Sequence, residues 1–330
     1  MEFLYNMEQR VKHAPVIKKL GVVSPGMEQT PVIFNGELLL VESAVEKVGE
    51  KGNVPYIRVR NPQTGKTYKS FGHGFYFASG YTEDGVVYAF GTPGQDDKPL
   101  TMYVTNDSSV WHEPRGGSEI RMFWSTDLEN WNEKAVLTRT DRGHWNTSVC
   151  KGKDGYVMAI EVRQLGDELD PAIGFPFTCF FAASKDLMNW EFMPDECCYT
   201  KERYNACPAL RYFDEWYYMI CLEALPAGRY APYIYRTKNF IDWEVGFHNP
   251  IMMWNDEDRN VRPGTPYVFT AQELDLMENR ININNSDLDL CEFEGKTYIF
   301  YGSGNQMDYG FLCEAVYDGP LDSFCKAFFE

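Results

Sequence analysis

Two phrases recur along this chain, and their repetition restricts the fold more than any other feature. The first is an apolar run, a turn pair and a second apolar run. It reads PVIFNGELLLVES (31–43), FASGYTEDGVVYAFGT (77–92), SVCKGKDGYVMAIEV (148–162), PALRYFDEWYYMICLE (208–223) and LDLCEFEGKTYIFYGS (288–303). Asn-Gly, Asp-Gly and Glu-Gly between strand-like runs predict tight hairpins, because glycine supplies the positive φ such turns need. The fourth copy uses Asp214-Glu215, a weaker turn. The second phrase is polar and ends in tryptophan: STDLENW (125–131), SKDLMNW (184–190) and TKNFIDW (237–243). Each follows a third apolar run: IRMFWS, FTCFFAAS or APYIYRT.

Hairpin, loop, third strand, tight turn and outer strand make one blade. Five such units predict an all-β chain folded as a five-bladed β-propeller, which protects its strand edges by radial repetition. Few segments keep a 3.6-residue period for three turns, so a helical fold is excluded; Ala271 to Met277 reads as one short helix inside a long insertion. Residues 22–330 are expected to form the propeller. Residues 1–21 are expected to precede it as a segment able to form a short amphipathic helix, docked on the propeller or on a second copy in a homodimer. In the tryptophan phrase, Ser and Asp side chains cap the turn, and the apolar pair packs between blades. That phrase speaks for the scaffold and not for chemistry.

Bulk properties narrow the function. A formal net charge of −17 repels phosphate backbones, so no nucleic-acid partner is expected. No long uninterrupted apolar run spans a membrane, and the first residues lack the apolar stretch of a secretion signal, so the expected location is the cytoplasm. The nine cysteines form no CxxC pair and sit mostly in apolar runs, as buried free thiols do. P-loop, dinucleotide, HExxH and GxSxG patterns are all absent.

STDLENW, SKDLMNW and the Asp-Gly-Tyr-like hairpins together resemble the five-bladed propeller glycoside hydrolases, family 43 and its relatives in families 32, 62, 68, 117 and 130. The resemblance covers about residues 22 to 330. It implies a glycosidase acting on an oligosaccharide or glycoside, with carboxylates at the starts of the inner strands around an axial funnel. This chain departs from that pattern at three starts. EQTPVI has Thr30 where the family carries an Asp before Pro, HWNTSV offers Asn146 where an Asp is usual, and NACPAL has Ala206 or Asn205 in place of a Glu.

Glycoside cleavage requires two carboxyl groups, one to protonate the leaving oxygen and one to activate water or attack. Three hairpins end their second strand in glutamate, at Glu42, Glu161 and Glu223, which suggests a shared lining. NNSDLDL alternates Asn285, Asp287 and Asp289 with apolar residues, so a regular strand would turn all three to one face. Asp287 is the expected base, and Glu223 and Glu161 are candidates for the acid. Arg58, Arg163 and Arg229 are candidates for an anionic substituent on the sugar. His144, Trp145, Asn146, Asn205, Asp289 and Gln306 complete the expected substrate-binding set, with Glu42 and His73. No organic cofactor is implied; a metal on the axis, held by His73 and carboxylates, is compatible with the pattern.

The leading expectation is an exo-acting glycosidase on short oligosaccharides. The missing family acids also fit a sugar-binding propeller without catalysis, and the arginines fit a phosphorylase resembling family 130. A structural interaction propeller is the fourth reading, against which the Glu and Arg pattern argues.

Overall fold

The computed structural model describes residues 14–27, 29–47, 53–93, 117–164, 177–305 and 310–330. Strand β1 (Ile17–Pro25) is followed by a three-stranded sheet of β2 (Gln29–Phe34), β3 (Glu37–Lys47) and β4 (Asn53–Arg60). The second sheet holds β5 (Phe75–Glu83), β6 (Val86–Pro93), β7 (Glu119–Ser125) and β8 (Asn132–Thr138). In the third are β9 (Arg142–Gly152), β10 (Gly155–Gln164), β11 (Phe177–Ser184) and β12 (Trp190–Phe192). A fourth unit runs β13 (Asn205–Phe213), β14 (Trp216–Leu225), β15 (Arg229–Thr237) and β16 (Trp243–Val245). Then come helix α1 (Ala271–Asn279), strands β17 (Asn284–Phe293), β18 (Lys296–Gly304) and β19 (Gly310–Tyr317), and helix α2 (Leu321–Ala327).

The inner strands close a ring. β2 packs on β5, β5 on β9, β9 on β13, β13 on β17, and β17 returns to β2. This is a β-propeller of five blades. Its last blade is completed by β1, which pairs antiparallel with β19 from the opposite end of the chain. Strand β1 begins at Ile17, inside the segment expected to precede the propeller, so residues 17–21 are strand. Residues 1–13, where a helix is expected, lie outside the described residues.

The repeats do what their residues dictate. Both central positions of the hairpin turns take positive φ at Asn35-Gly36, Asp84-Gly85, Asp214-Glu215 and Glu294-Gly295. In STDLENW the Ser125 hydroxyl accepts from Leu128 N (2.9 Å) and the Asp127 carboxylate from Asn130 N (2.8 Å), with Leu128 at φ +63°. Ser184 and Asp186, then Thr237 and Asn239, build the same turn in the next two blades. The tryptophans cross between blades: Trp131 stacks on Phe71 at 3.6 Å, Trp190 meets Phe90, and Trp243 meets Phe181. Packing of such rings between sheets adds to the apolar contact that joins the blades.

The insertion between β16 and β17 is pinned through one buried acid. Asp258 accepts from Tyr301 Oη (2.8 Å), Asn282 Nδ2 (3.1 Å) and Asn285 Nδ2 (3.0 Å), and pairs with Lys19 Nζ (2.7 Å). All its lone pairs are engaged, which makes the burial of this charge tolerable. Among the described residues no helix is long and apolar enough to cross a membrane. The nine cysteines are all free thiols.

Candidate active site

Four inner strands are bulged near their starts, between Tyr76 and Ser79, His144 and Thr147, Ala206 and Ala209, and Ser286 and Asp289. At three of these bulges a residue, Phe77, Cys207 or Asp287, has a φ of +52°, +50° or +49°. A bulge breaks the two-residue alternation and re-aims side chains. Hence Asn285, Asp287 and Asp289 do not share a face as alternation predicts. Asn285 turns to Asp258, while Asp287 turns to the axis.

A narrow cavity of about 30 Å³ lies on the axis, lined by Gln29, Thr30, Asn146, Cys207, Asp287 and Asp289 among others. That is room for about one water molecule. Around it, Glu161, Asn146, Cys207 and Asp287 form one hydrogen-bonded group. Glu161 Oε2 accepts from Cys207 N (2.8 Å) and Asn146 Nδ2 (3.1 Å). The Cys207 thiol donates to Asp287 Oδ1 (2.9 Å), and Asn146 Nδ2 approaches the Cys207 sulfur at 3.5 Å. Gln29 Nε2 donates to the Asp287 carbonyl (3.1 Å), leaving its buried Oε1 without a partner.

The electrostatics follow from burial without a cation. Desolvation pushes Glu161 up to about 7, the nearby Asp287 charge pushes the same way, and the bonds from Cys207 and Asn146 only partly offset this. Burial raises Asp287 as well, against the Cys207 and Ser286 hydrogen bonds. Asp289, also raised by burial, is tied to Arg211 and to Leu290 N and serves as an ion pair between neighbouring inner strands.

An arc of rings flanks this group. Phe77 meets Trp145 (4.6 Å), Trp145 meets Phe177 (5.0 Å), Phe177 meets Tyr204 (5.3 Å) and Tyr204 meets Tyr230 (5.8 Å). Tyr204 lies close enough to Glu161 and Asp287 for their charges to raise its phenol further.

Other residues singled out in the sequence sit elsewhere. Glu42 is bound by Arg58 (2.8 Å) and Arg60, so both the acid and Arg58 are spent on each other. Glu223 is buried against Tyr235 Oη and Arg203, off the axial cavity. Asn205 is fully buried and clamps backbone, accepting from Cys179 N (2.9 Å) and donating to Arg203 O (2.9 Å). His144, wholly buried beside Phe192, is pushed down to about 4 by burial and by Arg142, so it stays neutral. His73 is exposed and stacks on Tyr56, and Arg229 is exposed over Trp254. Gln306 and the side chain of Arg163 lie outside the described residues. Among the described residues no group of three His, Cys, Asp or Glu side chains is placed to hold a metal ion. Cys207, Tyr204 and Gln29 were not picked out from sequence; the only signal for Cys207 is its place before proline at an inner-strand start.

No protein-family model and no curated protein matches the sequence. Solved structures do. A glycoside hydrolase superposes with a TM-score of 0.59 at 13% identity, over 96% of both chains. The GH43 BlXynB protein from Bacillus licheniformis gives 0.51 at 14%, over 89% of this chain and 52% of its own length. The chain has the fold of family 43-like propeller hydrolases. An exo-1,5-alpha-L-arabinanase from a bovine ruminal metagenomic library gives 0.50 at 8%, over 90% and 94%. The departures from the family's acid positions, at Thr30, Asn146 and Ala206, stand inside this shared fold.

Proposed function

We infer that the protein is a glycoside hydrolase that takes the end of a short oligosaccharide into the axial funnel. Glu161 is the general acid and Asp287 the general base. The observation that carries this reading is the pair itself: buried Glu161 and half-buried Asp287, both held by Cys207, with no cation bonded to either among the described residues. An acid held near 7 is protonated enough at neutral pH to donate and acidic enough to do so readily. Glu161 gives its proton to the glycosidic oxygen as the bond to the anomeric carbon breaks. Asp287 takes a proton from the water whose oxygen bonds to that carbon. The aromatic arc offers apolar faces to the sugar ring. Glu223 is not assigned to the reaction, since Arg203 and Tyr235 already engage it.

The test is a panel of aryl glycosides and short oligosaccharides, xylosides, arabinosides and uronides included, with and without phosphate. Turnover of one member without phosphate, falling at least a hundredfold in Glu161→Gln and in Asp287→Asn, is the expected result. Its kcat/KM declines above about pH 7 as Glu161 ionises. A second reading, a sugar-binding propeller without catalysis, is favoured by the non-acidic residues at Thr30, Asn146 and Ala206. Silence across the panel, with a sugar that still raises the Tm, would establish it.

A further inference from the structure

We propose that Cys207 is a positioning residue that bridges the two carboxyl groups, its backbone N–H fixing Glu161 in place and its thiol holding Asp287 as the ionised partner. This rests on the reading of Glu161 and Asp287 as acid and base. Three observations carry it. The residue touches both groups at once, through N to Glu161 Oε2 at 2.8 Å and through Sγ to Asp287 Oδ1 at 2.9 Å. Asn146 Nδ2 approaches the same sulfur from the other side at 3.5 Å and leaves the S–H to point at Asp287. The backbone at Cys207 has φ +50°, where glycine is most at ease, yet a side chain is kept there. Two adjoining features agree. The cavity is also lined by Gln29, whose Oε1 is buried and unpartnered, and Asp287 stands at φ +49° on the facing bulge.

Two side chains donate to Asp287, the Cys207 thiol and the Ser286 hydroxyl. Facing Asp287 and Cys207 are Glu161 on β10, Tyr204 ahead of β13, Cys221 on β14, Ser286 on β17, and Asp289 already paired with Arg211. Burial raises Asp287, and the thiol bond opposes that rise. A donor to the ionised form favours ionisation, so removing it must raise the Asp287 midpoint.

Parent, Cys207→Ser and Cys207→Ala are compared by the pH dependence of kcat/KM and by infrared titration of the carboxyl C=O stretch, with Asp287→Asn assigning the band. All three keep the backbone N–H to Glu161, and Ser and Ala are close in volume, so their difference isolates the donor. In Cys207→Ala the Asp287 midpoint and the acid limb of the profile move up by about one pH unit, as expected for one lost hydrogen bond. kcat falls about tenfold with KM within a factor of two, and Cys207→Ser restores the parent midpoint and profile. Coincident Asp287 titrations in Ala and Ser variants would overturn the proposal. If no glycoside is hydrolysed by the parent, the acid–base reading fails on that result, while the infrared midpoints still decide whether the thiol governs Asp287.

Discussion

Glu42 and Glu161 hold corresponding places in their blades, each directly after an apolar run in a second strand, and each is almost wholly buried. Their chemistry is opposite. Glu42 lies between Arg58 and Arg60, and those two guanidiniums hold its carboxyl below the usual range although burial pushes the other way. Glu161 receives a backbone N–H, an amide and the Cys207 thiol but no cation, and it is pushed up to about 7. Position in the fold is therefore not what makes a carboxylate reactive. The identity of its neighbours is, because a buried charge that is paired becomes structure and one that is left unpaired becomes a reservoir for a proton.

The sharpest way to break this comparison is to neutralise Glu42. Glu42→Gln leaves Arg60 buried without its counter-charge, and breaking such a pair costs about 3–5 kcal/mol. Denaturant unfolding at neutral pH should show that loss, and whatever protein remains folded should keep its turnover per active site. A loss below about 1 kcal/mol would mean that the ion pair is not structural. Because Glu42 is depressed in the folded state, its stabilisation is present above the unfolded carboxylate range and fades as the pH falls through its folded value.

Glu161→Gln should do the reverse. The folded state holds the proton up to about pH 7, so the cost of ionising Glu161 is absent below about pH 4.5 and complete above 7. The variant should therefore unfold like the parent at pH 4 and be more stable by about 1–3 kcal/mol at pH 8, while losing turnover. Melting curves across that range check it. Equal stabilities at pH 8 would show that Glu161 is ionised without penalty.

The sequence made the scaffold readable and the site only half so. Hairpins and tryptophan turns are local: Asp127 binds the backbone of Glu129 and Asn130, so their signals lie within a few residues. The strand that closes the ring is not local, since β1 finds β19 from the other end of the chain, and nothing near Ile17 announces it. Asp287 and Glu161 were visible as acids set against apolar residues. Their joint contact with Cys207 was not, because it depends on two bulges that depart from strand alternation at 207 and 287. Likewise Arg58 looked available for a ligand until the register placed it directly opposite Glu42.

Glu223 gives the smallest effect and the finest test, since it stands between the two extremes. It is as buried as Glu161, and burial raises it, but Tyr235 Oη and Arg203 both donate to it and lower it again. Arg203 is itself more than half exposed, so water screens much of its charge. A glutamine at 223 can turn its carbonyl to Arg203 and donate its amide to the Tyr235 oxygen, and the net change is that of one weakened charge-assisted bond, about 1 kcal/mol. Glu223→Gln should therefore lower stability by about that amount and leave kcat/KM within about threefold of the parent at pH 6. A hundredfold loss of kcat/KM with intact folding would move the acid from Glu161 to Glu223, and the contrast with Glu42 would then turn on the exposure of the paired arginine and not on its presence.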